Sequence, residues 1–141
     1  MDIKEYLNQI RYIDQEINAY LEEKKRLRQA IELKTTSYND NKVQETNSSS
    51  YDVKYIRYVD MADVINEKID ALVDLKMKVS SEIDKLDKAE HRLLLRQRYI
   101  NLKSFEEIAV AMNYDIRSIT RIHGYALNSL RELVLKCPKM S

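Results

Sequence analysis

Arg117 and Arg121 stand four residues apart in the segment IRSITRIHG, which runs from Ile116 to Gly124. On a helix that spacing places both on one side. An arginine fork can donate two hydrogen bonds to the major-groove edge of guanine, the commonest specific contact between protein and DNA. Ser118 and Thr120, interleaved with them, are hydroxyls suited to phosphates or base edges. Gly124 costs a helix about 0.8–1.0 kcal/mol relative to alanine. That cost makes sense where a second backbone comes close, and a neighbouring helix is expected there slightly ahead of DNA. Other chemistry is poorly supplied. His91 and His123 are far apart and have no acidic or thiol partner at metal-ligand spacing. A single glycine cannot build a phosphate-binding loop. No enzyme, catalytic residue, metal or cofactor is expected.

A short helix carrying such residues needs a support that holds it outward. Ser104 followed by Glu107 is a capping box that starts a helix. Phe105, Ile108 and Met112 recur at helical spacing as its apolar stripe. Ala109 is the small residue needed where two helices cross closely. Asn113 suits a left-handed turn position, Tyr114 is expected to plug the turn, and Asp115 is placed to cap the next helix. Ile119 and Ile122 then face inward. The whole span from Ser104 to Gly124 has the pattern of a helix-turn-helix. Before it, Ala89–Tyr99 is read as a helix whose Leu93 and Leu94, with Ile100 and Leu102, form the floor beneath the motif. Arg92, Arg96, Arg98 and Lys103 lie outside the recognition helix and are assigned to phosphates, which carry no sequence information. After Gly124 the helix continues through Leu127, Leu130, Leu133 and Val134 and is expected to end at Pro138.

The segment SFEEIAVAMNYDIRSITRIHGYALNSLREL resembles region 4 of bacterial sigma factors of the sigma-70 class. Arg92-Leu93-Leu94-Leu95-Arg96-Gln97-Arg98-Tyr99 is similar to the helix that precedes the motif there. The likeness covers about residues 90 to 131. Ile116 departs from it, since sigma factors usually place a polar or basic residue at that position, so promoter specificity does not carry over. The order of elements, coiled coil first and sigma-like segment last, resembles small phage and prophage transcriptional regulators of the ArpU and RinA kind. That resemblance implies a transcriptional regulator with double-stranded DNA as partner. RNA polymerase is a further candidate partner by the same resemblance.

The near-neutral net charge of +1 conceals an uneven distribution. From Glu90 onward there are nine Lys/Arg against five Asp/Glu, whereas residues 1–89 carry 15 against 18. The basic excess falls on the segment with the motif, as expected of a nucleic-acid binder. One Gly and one Pro in 141 residues leave few turns and favour helices. Cys137 is the only cysteine, which fits a reducing compartment. No apolar run is long enough to span a bilayer, and the N-terminus lacks the apolar core of a secretion signal. A cytoplasmic protein without membrane contact is expected.

Ile3, Ile10, Ile17, Lys24 and Ile31 alternate with Tyr6, Ile13, Tyr20 and Leu27 in a seven-residue period, the seam of a coiled-coil helix over about Asp2–Leu33. Lys24 interrupts the seam, either to set register or to reach its rim. Residues 34–52 are polar and aperiodic and are read as a flexible loop. Met61, Ile65, Ile69, Leu72, Leu75, Val79, Ile83 and Leu86 mark a second long helix from about Val53 to Lys88. Two such helices should fold back as an antiparallel hairpin and associate with further copies. The expected architecture is all-α: a coiled-coil hairpin over 1–89, then a helix-turn-helix domain over 90–141. The expected function is sequence-specific DNA binding in transcription control. Two rivals remain: a small terminase subunit of phage DNA packaging, and a structural coiled coil without DNA binding.

Overall fold

The structure is a computed structural model that describes the backbone of residues 2–41 and 45–140 and the side chains of 2–33 and 52–134. The described residues are all-α, in the order α1 (Ile3–Asn41), α2 (Glu45–Ile83), α3 (Ala89–Leu95), a π-helical turn (Arg96–Ile100), α4 (Phe105–Met112) and α5 (Ile116–Met140). None of the helices is long and apolar enough to cross a membrane.

Both long helices outrun the expected boundaries. α1 continues to Asn41 and α2 begins at Glu45, so helix replaces most of the flexible loop expected over 34–52; residues 42–44 lie outside the described residues. Ser, Thr and Asn are weak rather than forbidden helix residues, each costing only some tenths of a kcal/mol, so long helices can run through them. α2 stops at Ile83, short of Lys88. Hydrogen bonds from Lys85 N to Glu82 O and from Leu86 N to Ile83 O tighten the chain there, and Leu86 is buried within that turn.

By its contacts the chain divides into two units, Ile13–Ala71 and Met1–Tyr12 with Leu72–Ser141. Within the first, α1 and α2 run antiparallel: Glu16 accepts from Lys68, Lys68 lies over Tyr20, and Lys24 lies over Tyr58. Ile17 and Ile31 of α1 and Met61 and Ile65 of α2 are buried there. Lys24 therefore takes up an aromatic face at the rim of the seam, 5.2 Å from the ring centre.

In the second unit the ends of the same helices keep that order. Tyr6 donates to Glu82 at 2.6 Å, and burial, helped by that hydrogen bond, raises the phenol's pKa. Ile3, Leu7 and Ile10 are buried, as are Val79 and Ile83. α5 packs on α3 and α4, burying Ile119, Ile122, Ala126 and Leu130. The backbone of α5 stays helical through Pro138 to Met140, beyond the expected stop.

The floor beneath α4 and α5 differs from the expected one. Leu94, Leu95 and Tyr99 are buried, whereas Leu93 is 46% exposed. His91, Leu94, Leu95 and Tyr99 recur at helical spacing on one face, which leaves Leu93 turned outward. After them comes the π-helical turn, closed by Asn101 N donating to Arg96 O across five residues. A π turn adds one residue to the helical repeat and rotates the face that follows. Leu102 then takes a left-handed conformation (φ 57°) that leads the chain to α4.

Candidate nucleic-acid interface

α4 begins at a complete capping box. Ser104 Oγ accepts from Glu107 N at 3.2 Å, and the Glu107 carboxylate accepts from Ser104 N at 3.0 Å. Those bonds hold the Glu107 carboxyl below the usual carboxylate range. The helix ends at Asn113, whose φ of 60° and ψ of 39° are left-handed. Asn113 N and Tyr114 N donate back to the Val110 and Ala109 carbonyls. Ala109 is buried, as a close crossing requires.

Tyr114 does not plug the turn. It is exposed, and its hydroxyl donates to Glu90 of α3 at 2.9 Å, because the phenol reaches water and a carboxylate more readily than a core already filled by Ile108 and Ile119. Asp115 caps α5 by accepting from Ser118 N at 2.8 Å. Hydrogen bonding from Ser118, helped by the nearby Arg121 charge, keeps its carboxyl low.

α5 presents two opposite faces in its first three turns. Ile119, Ile122, His123 and Ala126 are buried; Arg117, Thr120, Arg121 and Gly124 are exposed. Arg117 and Arg121 make no hydrogen bond or ion pair among the described residues, so their forks are open to an external acceptor. Thr120 is exposed, with its hydroxyl donating to Ile116 O at 3.0 Å. Ser118 is half-buried beside the Asp115 cap and turns towards the side of the helix. A Cβ added at Gly124 would meet nothing within 4 Å. Among the described residues the expected neighbouring helix is therefore not there, because α3 and α4 both pack on the opposite face of α5.

Three of the four residues assigned to phosphates are held inside the fold. Arg92 donates to the Leu86 and Asp87 carbonyls at 2.5 and 3.0 Å, satisfying the turn before α3. Arg96 binds Ser80 O, Ser80 Oγ and the Asp84 carboxylate, the last at 2.7 Å, and ties the π turn to α2. Arg98 donates to Lys103 O at 3.1 Å and lies 4.2 Å from the centre of the Phe105 ring. Lys103 is half-buried, and its ammonium makes no hydrogen bond or ion pair among the described residues.

Residues 32–131 match the family described as Protein of unknown function (DUF1492). The chain belongs to that family. No curated protein and no solved structure matches it. The matched span takes in α2, α3, the π turn, α4 and the exposed face of α5, and leaves most of α1 outside.

In this DUF1492 protein the exposed face rests on a layer that residue spacing did not disclose. Tyr99 Oη and His123 Nε2 are hydrogen-bonded at 2.7 Å, and the edge of Phe105 meets the His123 ring at 5.0 Å between centres. Burial, with the Lys4 and Arg98 charges nearby, lowers the His123 pKa to about 4. His123 is thus a neutral wedge between α4, α5 and the π turn. Its position two residues after Arg121, on the apolar side of the helix, was the available signal. Among the described residues no group of three or more His, Cys, Asp or Glu could hold a metal ion.

Proposed function

We propose that this chain is a cytoplasmic, sequence-specific DNA-binding protein of transcription control. The observation that carries the reading is the exposed face of α5, where Arg117 and Arg121 stand free beside Thr120 and Gly124. α5 enters the major groove by that face, with Arg117 and Arg121 on guanine edges and Thr120 and Ser118 at the walls. Gly124, with nothing in front of it, lets the duplex backbone approach α5. Lys103 contacts phosphate at the start of α4. The resemblance of residues 90 to 131 to sigma region 4 supports the same reading, with RNA polymerase as a further partner and a phage or prophage setting.

The hairpin serves self-association on this reading. Its α1 seam is filled by α2, so the associating surface lies elsewhere. In the unit Ile13–Ala71, α2 leaves Tyr55, Ile56, Val59 and Ile69 exposed, and a second copy of the chain can cover them. The test is recovery of genomic fragments bound by the protein, followed by titration of the best fragment and of a scrambled duplex at several salt concentrations. Preferential binding of the recovered fragment, weakening steeply with salt, is expected. Negligible, salt-independent binding to both overturns the reading and favours a structural coiled coil.

A further inference from the structure

The turn joining α2 to α3 and the second half of α5 flank a cavity of 660 Å³, lined by none of the residues so far assigned to DNA. Lys85 and Lys88 line it from the turn, His91 from α3, and Tyr125 and Asn128 from α5. His91 is only 6% exposed, yet among the described residues neither of its ring nitrogens has a hydrogen-bond partner. A buried polar group in that state calls for a partner that can enter. Burial, and after it the Lys88 charge, lower the His91 pKa. At pH 7 the ring is then neutral and keeps one N–H to donate.

Tyr125 and Asn128 tie this cavity to the reading face. Arg117, Arg121, Gly124 and Asn128 follow one another at four, three and four residues and are all exposed, so they form one strip along α5. Tyr125, also exposed, borders the strip at its cavity end. From Arg117 to Asn128 the strip is roughly 16 Å long at about 1.5 Å per residue. The major groove is about 12 Å wide. A helix whose first turn touches bases therefore reaches the edge of the groove, and with it the sugar-phosphate strand, by Asn128. The lining there is rich in donors: the two lysines, without ion pairs among the described residues, the Tyr125 hydroxyl, the Asn128 amide and the His91 N–H. Asp87 and Glu132 line the cavity too and offset the lysine charges. Both are exposed, so each carboxylate can turn to water.

We propose that this cavity takes one backbone phosphate of the DNA duplex, held by Lys85, Lys88, Tyr125 and Asn128 with the His91 N–H at its floor. This rests on the DNA-binding reading above. The occupant is a phosphate because it presents acceptor oxygens and no donor, as a wall of donors requires, and because the strand passes there once α5 lies in the groove. The turn between α2 and α3 is then part of the DNA-binding surface, and it positions α5 without reading sequence.

The test uses the full chain with Lys85→Ala and Lys88→Ala combined, and a second variant, Glu132→Gln, which removes a carboxylate and leaves every donor in place. Each is titrated with the recovered and the scrambled duplex over a range of salt concentrations, beside thermal unfolding. The double variant should unfold as wild type does and bind both duplexes more weakly by the same factor, with the salt slope reduced by about one unit. Glu132→Gln should bind both duplexes more tightly. In wild type the nitrogen resonances of the His91 ring should move when the scrambled duplex is added. An unchanged slope in the double variant, an affinity of Glu132→Gln no higher than wild type, or His91 resonances that stay still while duplex binds overturns the proposal. If the double variant is destabilised, the Glu132→Gln and His91 results decide. If wild type itself shows no salt-dependent binding, the DNA-binding reading fails with it. If wild type binds and a folded double variant binds equally well, only the role of the cavity is lost.

Discussion

The arginines before the turn and those after it have the same chemistry and opposite situations. Arg92, Arg96 and Arg98 each donate to at least one backbone carbonyl, closing the turn before α3, the π turn and the approach to α4. Arg117 and Arg121 have no such partner among the described residues. A guanidinium donates to whatever acceptor lies within reach, and the end of α2 and the turns before α3 and α4 bring carbonyls close to these three. The first three turns of α5 have no free carbonyl beside their outer face. Basic residues therefore sort into supports and contacts by the backbone around them rather than by their distance from the motif.

The largest expected effect lies in the layer between these two sets. His123 titrates near 4 when folded, against about 6.5 when unfolded, so the unfolded chain binds the extra proton first. Its contribution is complete above pH 6.5 and is lost as pH falls towards 4, by roughly 3 kcal/mol. His91, whose pKa burial also lowers, adds in the same direction. Urea unfolding at pH 7 and pH 4.5 measures the loss. His123→Gln, which keeps a neutral partner for Tyr99, should flatten the dependence. A curve of unchanged steepness would show that His123 is not the titrating group.

Arg96→Ala comes next and addresses the comparison itself. Losing the bonds to Ser80 should lower stability by about 1–2 kcal/mol. Asp84 is largely exposed and its ion pair adds little. The ratio of affinities for the recovered and scrambled duplexes should not change. A stable variant with an altered ratio would move Arg96 from support to contact.

The parts of the motif that could be read in the sequence are those fixed by neighbours along the chain. The Ser104–Glu107 box, the left-handed Asn113, the Asp115 cap and the inward Ile119 and Ile122 all depend on residues within four positions. The π turn could not be read that way, because no residue type among its near neighbours marks the extra residue it holds. The bonds of Arg96 to Ser80 and of Tyr99 to His123 likewise join positions that only the fold brings together. Over 34–41 and 45–52 the polar stretch is helical because weak helix residues do not forbid a helix.

Gly124→Ala should have the smallest effect on stability and the opposite sign. A methyl group there meets nothing, so the helix should gain about 0.8–1.0 kcal/mol in thermal unfolding. If the duplex backbone approaches α5 at this point, DNA affinity should fall in the same variant. A gain in stability with no loss of affinity would place Gly124 outside the interface.

The most direct test of the outer face of α5 as the reading surface is the affinity ratio in Arg117→Ala and Arg121→Ala. Each should leave the unfolding free energy within about 0.5 kcal/mol of wild type. Each should weaken binding to the recovered site by about 1–3 kcal/mol, with little loss on the scrambled duplex, so that the ratio narrows. If both variants keep the wild-type ratio while binding the recovered site, bases are not read by this face of α5 and the central claim is contradicted.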